Sequence, residues 1–276
     1  MSPRAADRAT YLVALLIAAL FLVPLSWLLS LSVRTPQEVY LGAARYLPED
    51  PTLENFRLVL TDRSFGLHLW NSLKICALGG AGAVAAAIPA AYAFSRFSFR
   101  GRTGLMVAVL LVQMVSPLVV LIPLYRYMDA LGMLDTHLGV IGVYVALGVP
   151  LSVWVLKSSF DRVPRSLEEA AEIDGCGRAE TLVRITLPLA GPGVAAAFIL
   201  NTMMGWSQFL VPFILLTDTG KVPISVAIFN FAGSTSASTT QLLAAACLVA
   251  ILPALALFVA VQRLIVRAVS GGAVRG

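Results

Sequence analysis

The sequence predicts an all-α, polytopic membrane protein with six transmembrane helices. The composition gives the first two indications, because 58% of the residues are hydrophobic and only 13% are charged. A soluble domain carries about 25% charged residues. The third indication is that the apolar residues come in long blocks, which is typical of membrane spans rather than of a soluble core.

Each predicted span is long enough to cross the bilayer, since a helix needs about 20 apolar residues to do so. Spans one to six are residues 11–33, 69–95, 104–127, 137–157, 190–216 and 241–263. Arg4 and Arg8 precede span one, as they would precede a signal peptide. The apolar run is longer than that of a signal peptide, however, and no small-residue cleavage site follows it. We therefore expect an uncleaved span.

Lysine and arginine predict the orientation. With the N-terminus inside, 13 of these residues fall on the cytoplasmic side and at most 6 on the outside. The short loops agree, because 96–103 carries three arginines and 129–136 carries none. By the positive-inside rule, both termini and residues 158–189 face the cytoplasm. The net charge of +5 is explained by this distribution and does not indicate a nucleic-acid partner.

The domain organisation follows from these spans. Residues 1–33 form a cytoplasmic tail and a peripheral first span, and residues 34–68 form an extracytoplasmic segment whose charges, prolines and aromatics predict a small ordered cap. Residues 69–263 form the core, and residues 264–276 form a cytoplasmic C-tail.

Several classes of function are disfavoured by what the spans lack. Lys74 is the only full charge well inside a span, whereas ion-coupled transporters usually need buried acids or bases. There is no phosphate-binding loop, no metal-ligand cluster and no hydrolase motif. The chain is therefore expected to have no catalytic residue, metal site or cofactor of its own, and any driving energy must come from another protein.

A polar island interrupts the apolar pattern at residues 158–189, between spans four and five. Ser166 and Glu169 have capping-box spacing, which predicts the start of a short helix. Gly175 suits a left-handed C-terminal cap of that helix. A second helical stretch is expected at about 178–186, with Pro188 at its end. The island alone could be an interfacial loop that only connects two spans.

The residue spacing in the island is more specific than its composition. Glu169-Ala170-Ala171 is followed by three residues and Gly175, and then by nine residues and Ile185-Thr186-Leu187-Pro188. This spacing resembles the EAA loop of permease subunits in binding-protein-dependent ABC importers. The residues to which the resemblance assigns ATPase coupling are Ser166, Glu169, Ala170, Ala171, Asp174, Gly175, Ile185, Leu187 and Pro188.

Further stretches are similar to the carbohydrate-uptake branch of these permeases. They are residues 47–56, 71–73, 91–102 and the final Gly271-Gly272-Ala273-Val274-Arg275-Gly276. Length and motifs resemble the maltose permease G-type subunits over essentially the whole chain. Cys176 and Arg275 are small departures from that pattern.

The resemblance implies the type I permease fold of ABC importers, with a cytoplasmic coupling helix between spans four and five. It also implies a sister permease, two ATP-binding cassette subunits that hold Mg-ATP, an extracytoplasmic solute-binding protein and a place in a prokaryotic inner membrane. The transported solute would be a sugar or a related polyol. The tail residues Ala273, Arg275 and Gly276 are candidates for contact with the ATPase.

The translocation path is less visible in the sequence. Uncharged polar or aromatic residues in spans three and five could meet sugar hydroxyls; these are Gln113, Ser116, Asn201, Trp206 and Gln208. The alternative is that they form hydrogen bonds between helices. The small residues of span two, from Gly79 to Ala91, predict close helix packing.

Three alternatives stay open at this point. The same machine could carry a polyamine or a glycerol phosphodiester, for which opposing charges in the spans would be expected. A stand-alone secondary transporter or channel is disfavoured by the lack of charge in the spans. A purely structural membrane subunit would leave the spacing in the island unexplained.

Overall fold

A computed structural model of the chain describes residues 3–41, 46–233 and 240–270. Within these ranges the regular structure is helical, and no strand occurs. The helices are α1 (Pro3–Ser32), α2 (Pro36–Tyr40), α3 (Glu54–Thr61), α4 (Arg63–Arg96), α5 (Arg102–Val112), α6 (Pro117–Ala130), α7 (His137–Phe160), α8 (Arg165–Ile173), α9 (Arg178–Thr181), α10 (Leu187–Leu189), α11 (Gly191–Ser207), α12 (Leu210–Leu215), α13 (Ile224–Gly233) and α14 (Thr240–Ser270). A π-helical segment, Leu182–Thr186, joins α9 to α10.

Four of the described helices are long and apolar enough to cross a membrane unbroken. They are α1, α4, α7 and α14, which correspond to predicted spans one, two, four and six. No residue in the most apolar stretch of α1 is buried within the chain, as expected for a helix surrounded by lipid.

Predicted span three is two helices rather than one. Helix α5 ends at Val112 and α6 begins at Pro117. The residue before this proline, Ser116, is extended, with ψ of 130°. A proline disfavours helical conformation in the residue that precedes it, which explains where α6 begins.

Predicted span five is also interrupted. Gln208 is extended, with ψ of 122°, between α11 and α12. The break lies four residues before Pro212, which lacks the N–H that would bond to Gln208 in a continuous helix. At its other end, α11 makes an angle of 79° with the helical stretch Arg178–Leu189, and counting this bent pair gives five potential spans.

The chain divides into two compact units, and the first comprises Met1–Gly66 with Ala227–Leu252. Val59 of α3 packs in a small apolar cluster with Ala245, Ala246 and Val249 of α14. The Asn55 side chain donates hydrogen bonds of 2.8 Å to the carbonyls of Ser32 and Arg34. These bonds hold α3 against the end of α1.

The second unit comprises Leu67–Val226 with Pro253–Gly276. Its core is formed by α4, α5, α7 and α11, with Phe160 and Leu156 of α7 fully buried. The predicted close packing of the small residues is confirmed. A Cβ atom at Gly79 would lie 2.8 Å from Tyr144 Cβ, and one at Gly80 would lie 2.8 Å from Thr202 Oγ1.

Candidate functional site

The island folds around α8, and the helix begins differently from the prediction. Its N-cap is Pro164, two residues before the predicted N-cap Ser166, and no side chain caps it. The predicted capping box of Ser166 and Glu169 is therefore wrong. Pro164 and Arg165 already occupy the first turn, so Ser166 lies inside the helix and Glu169 lies beyond the position from which it could reach back.

The C-terminal end of α8 matches the prediction. Gly175 has φ of +88°, a left-handed conformation that glycine adopts without steric cost. The N–H of Cys176 donates to the Ala171 carbonyl at 2.9 Å, and the N–H of Gly175 donates to the Glu172 carbonyl at 3.1 Å. This pair of bonds is a Schellman motif, which ends the helix sharply.

Glu168 is the buried charge of the island. Its carboxylate accepts hydrogen bonds from Arg96 Nε at 2.8 Å, Arg96 Nη2 at 2.7 Å, Thr186 Oγ1 at 2.6 Å and the Tyr92 hydroxyl at 3.3 Å. The Arg96 and Glu168 side chains are 8% and 9% exposed. We call Tyr92, Arg96, Glu168 and Thr186 the Glu168 junction.

The junction holds Glu168 ionised. Burial alone would raise the pKa of Glu168, but the hydrogen bonds from Arg96 and Thr186 and the charge of Arg96 outweigh it, so the pKa lies below its ordinary value. The two-point bond between guanidinium and carboxylate also fixes the relative orientation of the two side chains.

Residues of α8 and of the segment before it bond to the C-terminal end of α4. Arg96 Nη2 donates to the Val163 carbonyl at 3.1 Å, and Ser95 Oγ donates to Asp161 Oδ1 at 2.6 Å. Arg165 Nη2 donates to the Ser95 carbonyl at 3.3 Å. The end of α4 is therefore bonded to the segment before α8 and to α8 itself, and Thr186 of the π-helical segment joins this network only through Glu168.

Most of the predicted coupling residues lie on the open side of the island. Ser166, Glu169, Ala170, Asp174, Gly175 and Pro188 are exposed, Ile185 and Leu187 are half-buried, and Ala171 is buried. Ile173 is 87% exposed, which is unusual for an isoleucine on a polar helix. The island thus offers a small apolar surface with carboxylates beside it.

The predicted second helical stretch is present, but it is not a regular α-helix. Residues Leu182–Thr186 form a π-helix, and Thr186 lies at its end, where it bonds to Glu168. π-Helical turns occur frequently at functional sites. The sequence pattern did not predict this π-helical segment. It also did not predict the role of Glu168, because Arg96 and Glu168 are 72 positions apart.

Two of the five candidate path residues line one cavity in the second unit. Asn201 and Gln208 share it with Gly79, Gly80, Tyr144, Leu147, Gly148, Met204 and Gly205. Asn201 Nδ2 donates to Ser152 Oγ at 2.8 Å and to the Ala197 carbonyl at 2.7 Å. Asn201 therefore bonds between helices as well as facing the cavity. The Gln208 carbonyl accepts a hydrogen bond from Ser225 Oγ at 3.0 Å.

The other three candidates are not brought into that cavity. Gln113 and Ser116 are exposed at the break between α5 and α6, and Trp206 is half-buried near the end of α11. The tail candidates Ala273, Arg275 and Gly276 lie outside the described residues. Among residues 3–41, 46–233 and 240–270, no group of three His, Cys, Asp or Glu side chains could hold a metal ion.

Several apolar helices on either side of a polar island make the chain a multi-pass membrane protein. Residues 81–271, more than half of the chain, match the family described as the inner membrane component of binding-protein-dependent transport systems. The chain belongs to this family, which confirms the resemblance drawn from the island. It is a permease subunit of an importer.

Individual relatives extend the match over nearly the whole chain. The trehalose transport system permease protein SugB of Mycobacterium tuberculosis is 32% identical, and the alignment covers 98% of this chain and 99% of that protein. The sulfoquinovosyl glycerol transport system permease protein SmoH of Agrobacterium fabrum is 31% identical, with 95% and 91% covered.

A solved structure confirms the predicted fold. One chain of a bacterial ABC transporter involved in the import of the acidic polysaccharide alginate superimposes with a TM-score of 0.79. The superposition covers 95% of this chain and 97% of that chain, at 23% sequence identity. The type I permease fold expected from the island is therefore the fold of this chain.

Proposed function

We propose that this permease subunit works in an ATP-driven importer of a sugar or related polyol. It forms the translocation path with a sister permease, receives the solute from an extracytoplasmic binding protein and contacts two ATP-binding cassette subunits through the island. The observation that carries the proposal is the geometry of α8, which has a buried ion pair on one side and an open face of small and apolar residues on the other.

Two observations support a neutral, hydroxylated solute. Relatives over almost the full length are named for trehalose and for trehalose/maltose transport. The cavity beside Asn201 and Gln208, about 30 Å³ in volume, admits one water-sized group and is lined by amide, phenol and apolar groups, which suit a hydroxyl rather than an ion. A polyamine or a glycerol phosphodiester is the second candidate, and it would need charges that the spans lack apart from Lys74.

The open face of α8 supports docking into a groove of the ATPase. Full burial of a side chain such as Ile173 contributes about 1.5–3 kcal/mol, and Ala170 lets a partner approach closely. Mg-ATP is held by the partner subunits. ATP binds their closed dimer preferentially, and this differential affinity is what shifts the permease between its two states.

The proposal includes an orientation and a second contact. Both termini and the island face the cytoplasm, which the distribution of lysine and arginine supports. The tail residues Ala273, Arg275 and Gly276 are proposed as a further contact with the ATPase. Removal of residues 270–276 is then expected to reduce stimulation of the ATPase, and unchanged stimulation contradicts the tail contact.

Purification from the native membrane tests the proposal. We expect an ATP-binding subunit and a second permease to accompany the wild-type chain. Glu169→Lys reverses an exposed charge on α8, so the ATP-binding subunit is lost while the second permease stays. Glu54→Lys is the matched control, because Glu54 is also an exposed glutamate but lies in the predicted extracytoplasmic segment.

The result that contradicts the proposal is a chain that purifies alone and moves solute in liposomes along an ion gradient. That outcome favours the secondary transporter. The solute class is tested separately by competition for uptake in intact cells. Neutral disaccharides should compete, and competition only by polyamines or glycerol phosphodiesters would favour the second candidate.

A further inference from the structure

We infer that the Glu168 junction couples the movement of α4, the second span, to that of α8, the coupling helix. Glu168, Arg96 and Thr186 are its positioning residues. The inference rests on the proposed function, since it assumes that the ATPase moves α8. It goes beyond the motif, because neither Glu168 nor Arg96 is among the residues that the EAA spacing singles out.

The connectivity of the chain shows what the junction adds. Helix α8 is joined covalently to α7 through residues 161–164 and to α11 through residues 174–190. It has no such connection to α4, which ends at Arg96, 69 positions before α8 begins. Any movement of α4 with α8 therefore depends on side-chain contacts, and the junction supplies them.

The hydrogen bonds in the junction tolerate little displacement of α8 relative to α4. Each oxygen of the Glu168 carboxylate accepts two hydrogen bonds, one of them from Arg96 in each case. The pair is buried, so a displacement that breaks it leaves charges without water or partner. The free-energy cost of moving α8 is consequently lower when the end of α4 moves with it than when the ion pair is broken.

Thr186 extends the same link to the other side of the island. Its hydroxyl bonds to Glu168 from the end of the π-helical segment, just before the 79° bend that leads into α11. One carboxylate thus ties α8 to α4 and to the entrance of α11. Both helices line the cavity, α4 through Gly79 and Gly80 and α11 through Asn201, so a displacement at the island reaches the cavity along two walls.

The test uses the complete transporter in liposomes, with its binding protein and ATP, and measures solute imported per ATP hydrolysed. Glu168→Gln keeps the side-chain shape but removes the charge. We expect the ratio to fall about fivefold or more, the size of a typical coupling term, while ATPase subunits still co-purify. Arg96→Lys keeps the charge without the two-point bond, and we expect a smaller fall in the ratio.

Glu54→Gln is the control for the charge change. Glu54 pairs with Arg57 at 2.7 Å, the same distance as between Arg96 and Glu168, but that pair is exposed. The control should leave the ratio unchanged. A purely structural role for the junction would lower import and hydrolysis together and leave their ratio at the wild-type value, which overturns the inference.

Two further outcomes are separated by the design. If no ATP-binding subunit accompanies the wild type, the proposed function itself fails. If Glu168→Gln does not assemble, Thr186→Val decides, because it removes one bond and leaves the ion pair. A lower ratio in Thr186→Val supports the inference, and a wild-type ratio in both Thr186→Val and Arg96→Lys overturns it.

Discussion

Replacement of Gly148 by alanine tests how tightly three helices meet at the cavity. A Cβ atom at Gly148 of α7 would lie 2.3 Å from Asn201 Oδ1 of α11 and 2.7 Å from Ala83 Cβ of α4. Both distances are far below van der Waals contact, so α7 must shift or Asn201 must turn away. The Asn201 side chain would then lose its bond to Ser152.

The magnitude follows from these contacts. Overpacking costs about 1–3 kcal/mol and a lost hydrogen bond about 1 kcal/mol. Alanine returns up to about 1 kcal/mol through its helix propensity. The net expectation is a destabilisation of about 1–3 kcal/mol. It is measured as a lower midpoint of unfolding by SDS in mixed detergent micelles.

Gly142→Ala is the matched control for this prediction. Gly142 lies on the same helix, and a Cβ atom there would meet nothing within 4 Å. The control should therefore keep only the propensity gain. Adding Asn201→Ala to Gly148→Ala removes the nearest clashing atom and should restore part of the loss. Equal midpoints for Gly148→Ala and Gly142→Ala would refute the packing argument.

Three other outcomes are expected. Gly175→Ala forces a left-handed alanine that costs about 1–2 kcal/mol, so amide exchange in α8 should quicken; unchanged exchange would contradict the Schellman cap. The pKa of Glu168 is lowered on folding, so the ionised carboxylate stabilises the folded state. This stabilisation is full above the ordinary pKa of a glutamate, about 4.3, and is lost as the pH falls below that value. The unfolding midpoints of wild type and Glu168→Gln should therefore converge in acid, and a constant difference would refute the ion pair. Asp135→Asn should change the midpoint little despite losing the Lys221 pair, because that pair is on the surface and asparagine tolerates the φ of 53°; a large loss would contradict this.

The features that the sequence predicted well are local ones. Apolar blocks predict spanning helices because lipid exposure requires a continuous run of apolar side chains. Gly175 predicts the end of α8 because few other residues adopt its conformation. The spacing from Glu169 to Pro188 is specific enough to indicate the family from sequence alone.

The features that the sequence did not predict depend on competing helix starts and breaks, or on contacts between residues that are far apart in the chain. The capping box predicted at Ser166 does not form, because α8 begins earlier, with Pro164 as its N-cap. The breaks before Pro117 and Pro212 divide spans that hydropathy alone treats as continuous. The partner of Glu168 could not be found by spacing, because Arg96 approaches it only after α4 and α8 have packed.

Photocrosslinking from α8 tests the central claim most directly. A benzophenone amino acid replaces Ile173, which is 87% exposed, and separately Tyr40, which is 75% exposed in the predicted extracytoplasmic segment. Illumination of native membranes should join the ATP-binding subunit to the chain from position 173 and not from position 40. A crosslink to the ATP-binding subunit from neither position, or from both equally, would contradict the assignment of the island as the ATPase contact.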